Sequence, residues 1–149
     1  ILSQIATYID KVYEVYEAHD YQTLSISKFK PMVVFLFGTN DIISKLKDET
    51  KKLLSTMMKK NSEMLKVSFV FVDNPDLIRN FSYEDWFKVS ADTSRGLWIS
   101  NGIGDQSVFK VSKLNREDRE DLPKDYGFVI QSSRASGIKL LVDYKKDSV

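Results

Sequence analysis

In the stretch KFKPMVVFLFGTNDI, Lys28 to Ile42, the apolar run Met32–Phe37 is followed by Gly38, Thr39 and Asn40, and its first acid is Asp41. A carboxylate at the end of a buried strand can hold magnesium through water and polarise an attacking nucleophile. Glycine and threonine at that place supply no such group. His19 is the single histidine of the chain. A Ser–His–Asp or Cys–His site would have to be built on it, and no nucleophile near it in sequence suggests one. It is read as a surface residue ending a helix. Glu117, Asp118, Glu120 and Asp121 cluster in NREDREDLPKD, but Arg116 and Arg119 interleave with them, the composition of a solvated loop rather than an ion site. No catalytic residue and no metal ligand set is assigned.

Phosphate chemistry fares no better. The pattern GxxxxGK(S/T) is absent. SNGIGDQ, Ser100 to Gln106, has two glycines but does not open a helix, so its N–H groups do not converge as a phosphate cradle requires, and it is read as a turn between strands. Asn80–Phe81–Ser82 is a formal glycosylation sequon, without meaning in a cytosolic chain. Trp86, Phe87, Trp98 and Phe109 fit either a core or a peptide-binding surface, since aromatic side chains serve both.

The 149 residues carry 22 basic and 21 acidic side chains, a net charge of +1, which gives no electrostatic case for nucleic acid or an anionic membrane. There are no cysteines, hence no disulfides and no thiolate metal sites. No apolar run approaches the roughly 18 residues that a bilayer span needs. The chain opens at Ile1, inside a helical pattern, and is expected to be a piece of a larger protein, with any P-loop lying upstream.

The elements that must position these residues follow from periodicity. Ile5, Tyr8, Ile9, Val12, Tyr13 and Tyr16 recur at helical spacing and predict an amphipathic helix over about 2–19. Met32–Phe37 and VSFVFV, Val67–Val72, are continuous apolar runs, expected as fully buried parallel strands. Between them one helix is expected, capped by Asn40 or Asp41 and fading near Asn61. Pro75 ends the second strand. DWFKV, GLWIS and SVFKVS are short aromatic runs, and YGFVIQ with IKLLVD is expected to close as a β-hairpin around SSRASG, with Gly137 helping the turn. The expected class is α/β, one domain over 1–149.

The order of these pieces resembles the second part of an FtsK/SpoIIIE-type ATPase domain. ILSQIATYIDKVYEVYEAHDY sits at the helix before Walker B, PMVVFLFGTNDI at Walker B, and LKVSFVFVDNP at the sensor strand. GLWISNGIGDQSVFKV and LPKDYGFVI are similar to the last ATPase domain of the type VII secretion coupling proteins of the EssC/EccC family, most closely the firmicute form. The resemblance implies a P-loop NTPase core of RecA/FtsK type, a parallel sheet with flanking helices and C-terminal antiparallel strands, here without its N-terminal P-loop part.

Against that family the departures matter most. Phe37 and Gly38, or Gly38 and Thr39, stand where the Walker B acids belong, and Asp73 replaces the sensor glutamine. ATP and magnesium are the family's cofactors, and none is expected in this chain. The resemblance implies a cytoplasmic domain of a bacterial cell-membrane protein. Its partners would be secreted WXG-type helical-hairpin proteins, neighbouring ATPase domains of the same chain, and a hexamer of the full protein. The expected role is a binding module that recognises a substrate helix, with Trp98, Ile99 and Phe109 as candidate contacts. The alternative is a weakly active nucleotide-binding domain completed by an upstream P-loop. A DNA translocase is disfavoured by the charge balance and the acidic loop.

Overall fold

A computed structural model describes residues 1–99, 101–120, 122–123 and 125–140. The chain divides into two compact units, Ile1–Ala91 and Asp92–Val149. The class is mixed α/β, with a two-stranded parallel sheet in the first unit and a three-stranded antiparallel sheet in the second.

In the first unit, helix α1 (Leu2–Ala18) buries Ile5, Ala6, Ile9, Val12 and Tyr16, which share one helical face. His19 ends it, its Nδ1 2.8 Å from the Val15 carbonyl oxygen. Strand β1 (Met32–Phe37) pairs in parallel with β2 (Val67–Val72), Met32 opposite Val67 and Phe37 opposite Val72. The connection is two helices rather than the expected one, α2 (Thr39–Ser44) and α3 (Asp48–Met64). The break has a local cause. Leu46 N–H closes a tight turn on the Ile43 carbonyl, Lys47 is extended, and Asp48 and Glu49 supply negative charge at the fresh helix start. No side chain caps α2; its first position follows Gly38, which is left-handed at φ 65°.

Helix α3 buries Leu54, Met57, Met58, Asn61 and Met64 and packs on α1 and on α5 (Asp85–Ser90). It ends at Leu65, left-handed at φ 54°, whose N–H donates to the Asn61 carbonyl. DWFKV is thus helical, and Asn74 caps the short α4 (Pro75–Arg79) by accepting from Asp76 N–H at 3.0 Å. Phe71 of β2, Phe81, Trp86 and Phe87 form an aromatic cluster with ring centroids 5.5–6.3 Å apart.

The second unit is the meander β3 (Gly96–Ile99), β4 (Tyr126–Gln131) and β5 (Arg134–Lys139). Its core is Ile103, Phe128 and Ile130, with Trp98, Phe109, Val111, Leu114, Leu122 and Ala135 packed around them. The hairpin β4–β5 forms as expected, but its turn is Ser132–Ser133, both left-handed at φ 50° and 63°, and Gly137 lies inside β5 opposite Phe128. The second strand therefore begins earlier than expected, at Arg134. Leu141 to Asp143 of the expected strand, like Ser100 and Asp121, lie outside the described residues.

Candidate functional site

The two parallel strands do not lie buried on both faces, as their continuous apolar runs suggested. Exposure alternates along them. Val33, Phe35 and Phe37 of β1 are 56, 57 and 68% exposed, and Val70 and Val72 of β2 share their row across the register. The opposite row, Met32, Val34 and Leu36 with Val67, Phe69 and Phe71, is the more buried and carries the contacts with α5. The sequence hides this because both rows are apolar except at Ser68, so a two-residue period has almost no polar phase to reveal. The open row is a patch of five large apolar side chains, with the rings of Phe35 and Phe37 stacked at 6.0 Å and 14°.

At the C-terminal ends of the same strands lies the place where the sequence lacks acids. Phe37 points into the open row, and Gly38 turns the chain, its N–H donating to the Val72 carbonyl at 2.9 Å. Thr39 is fully buried and donates its hydroxyl to the Leu36 carbonyl at 2.8 Å. None of the three carries a carboxylate. Asp73, the residue that follows β2, is tied down by backbone: its Oδ2 accepts from Asn40 N–H at 2.7 Å and its Oδ1 from Asn74 N–H at 2.8 Å. These bonds clamp the turn after β1 to the end of β2. Asp41, the first acid after β1 in sequence, is paired with Lys45 at 2.7 Å on the surface. Among the described residues no three His, Cys, Asp or Glu side chains gather as metal ligands.

The N-terminal ends of the strands are basic. Lys66 continues the open row of β2 one step before Ser68, and its carbonyl accepts from Met32 N–H, so the ladder reaches it. Its Nζ is 3.5 Å from the Phe29 carbonyl, and Lys28 Nζ lies 5.6 Å from the Phe29 ring centre. Lys30 is exposed.

The three aromatic and aliphatic candidates of the second half separate. Trp98 and Phe109 pack against the core of the second unit, and Trp98 donates its indole N–H to the Asn101 carbonyl at 3.1 Å. Ile99 faces outward with Leu97 and Val129, a smaller apolar patch on the other face of that sheet. Phe109 is also what fills the space beside Gly96, where an added Cβ would come within 2.2 Å of its ring.

One residue that the sequence did not single out shapes this neighbourhood. Asn61, buried on α3, donates its amide to the Val67 carbonyl and accepts from Val67 N–H at 2.9 Å, standing where a further strand would pair with β2. A lone polar residue in the apolar stripe of α3 was the available signal. No helix among the described residues is long and apolar enough to cross a membrane. Comparison with protein-family models, with curated proteins and with solved structures finds no match for this chain.

Proposed function

We propose that this chain is a non-catalytic binding module, a P-loop NTPase-like domain of a type VII secretion coupling protein that recognises helical-hairpin substrates of the WXG type. The observation that carries the reading is the open apolar row Val33, Phe35, Phe37, Val70 and Val72. Parallel sheets occur almost only with both faces covered by helices. A row of this kind accepts the apolar side of an amphipathic helix, the element such hairpins offer. The absence of catalysis is supported by Phe37, Gly38 and Thr39 at the strand end, and by Asp73 being committed to backbone N–H groups. An acid there repels a γ-phosphate instead of donating to it. Ile99, beside Leu97, adds a second apolar surface to the module, whereas Trp98 and Phe109 support it from within.

Calorimetric titration of the chain with Mg·ATP and, separately, with a secreted helical-hairpin protein tests this. Heat of binding with the hairpin and none with the nucleotide is expected. Micromolar Mg·ATP binding would overturn the non-catalytic reading in favour of a nucleotide-binding domain, and silence with the hairpin would remove the receptor role.

A further inference from the structure

We propose that Asn101–Gly102 is a site of spontaneous covalent modification, at which Asn101 loses ammonia through a cyclic imide and the product unlatches the second unit. The pair lies in SNGIGDQ, a stretch the proposed binding role does not use. Of the six asparagines, Asn101 is the one followed by glycine. A glycine nitrogen is the least shielded nucleophile in a main chain, because no Cβ stands beside it. Asn101 and Gly102 are both exposed, and Gly102 is left-handed at φ 82°. A Cβ placed on Gly102 would meet nothing within 4 Å. The ring has room to form, and water has access to it.

The Gly102 amide nitrogen gives up its proton and bonds to the Asn101 Cγ, and Nδ2 leaves as ammonia. Water then cleaves one of the two C–N bonds of the imide. Cleavage at Cγ leaves aspartate at position 101. Cleavage at the former main-chain carbonyl leaves isoaspartate, with the chain running through Cβ and Cγ. Either product adds one negative charge to a chain whose net charge is +1.

Asn101 is also a latch. Its carbonyl accepts the Trp98 indole N–H at 3.1 Å, and its Oδ1 accepts Leu122 N–H at 2.6 Å. In isoaspartate these oxygens exchange roles: the Trp98 acceptor becomes a free carboxylate, and the Leu122 acceptor becomes the main-chain carbonyl. The main chain also gains a carbon between Trp98, packed against the core, and Ile103, a core residue 2% exposed. A close-packed core holds both anchors, so the added carbon must displace one of them. Aspartate keeps the chain length and strengthens the Leu122 bond by its charge.

The wild-type chain, aged in warm, mildly alkaline buffer, carries the test. Peptide mapping by mass spectrometry, with fragmentation that separates aspartate from isoaspartate, follows all six asparagines in one sample. Asn101 should convert first and give both products. A second Trp98 indole N–H resonance should appear, grow with the isoaspartate fraction and exchange faster with water. Trp86, in the other unit, should keep a single resonance. Asn101→Asp should leave the Trp98 resonance protected from exchange, as in the fresh chain. An Asn101 that outlasts the other asparagines would overturn the site. Isoaspartate with an unchanged Trp98 resonance would overturn the unlatching, as would Asn101→Asp exchanging as fast as the aged chain.

Discussion

Asn61 shows how one side chain can stand in for an element. Its carboxamide meets both the N–H and the carbonyl of Val67 from a buried position. Asn61→Ala leaves two backbone groups without partners near the core, a loss of about 2 kcal/mol, measured as a lowered urea midpoint. Asn61→Leu should not recover it, because the unpaired groups belong to Val67. Tyr13 makes a weaker and more exposed bond, donating to Glu63 at 2.9 Å. That bond, with desolvation and the charge of Glu63 behind it, pushes the phenol up to about 12. The bonded form is the protonated one, so its contribution is fully present below the ordinary value near 10 and is lost as pH rises through about 12. Among the seven tyrosines, Tyr13 should titrate late by tyrosinate absorbance, as should Tyr21, which the charge of Glu17 raises, and Glu63→Gln should move Tyr13 back toward 10. At this scale the identities of Phe37, Gly38 and Thr39 at the end of β1 were legible, since identity alone tells them. What Asp73 bonds to was not, because its partner Asn40 is 33 positions away.

Elements were legible where composition changed sharply at their ends. Both parallel strands fall at the expected bounds, one after Pro31 and one before Asp73–Asn74–Pro75, and α1 matches to within a residue. Legibility failed where backbone geometry decides. The β4–β5 turn is made by two left-handed serines, and serine announces such a turn far less than Asn-Gly does. Its placement is fixed by distant backbone: Ser133 N–H donates to the Ser94 carbonyl at 3.0 Å, and Ser112 N–H donates to the Ser133 carbonyl at 2.7 Å. The loop before Phe109 is likewise stapled by Gln106, which accepts from Val108 and Phe109 N–H at 2.8 and 2.7 Å and donates to the Phe109 carbonyl. That staple holds the Phe109 ring against Gly96 of β3. Gly96→Ala should therefore destabilise the second unit by about 1–3 kcal/mol through overpacking. Phe109→Leu in the same chain should return part of it, so that the double variant loses less than the two single losses summed.

For the whole molecule, the α/β alternation of the first half and the antiparallel strands of the second were both readable from periodicity, and each became a compact unit of its own. Each unit holds one of the two tryptophans, Trp86 in the first and Trp98 in the second, so fluorescence can follow them separately. With Trp98 replaced by Phe, Ile9→Ala should lower the stability reported by Trp86 by about 2–5 kcal/mol, because Ile9 is fully buried on α1. An unchanged midpoint would mean that α1 does not share the core Trp86 reports. The carboxamide at Val67 also limits how far this sheet can grow. A sheet edge is a template on which any extended chain can lay itself down, and exposed edges are where fibrils and unwanted oligomers start. On the outer side of β2 that template begins with Asn61, whose side chain fills the pairing site at Val67 and has no continuing backbone to pass the ladder on. A strand arriving there must stop short of Val67, so the protein has shortened one of its own sticky margins with a single residue.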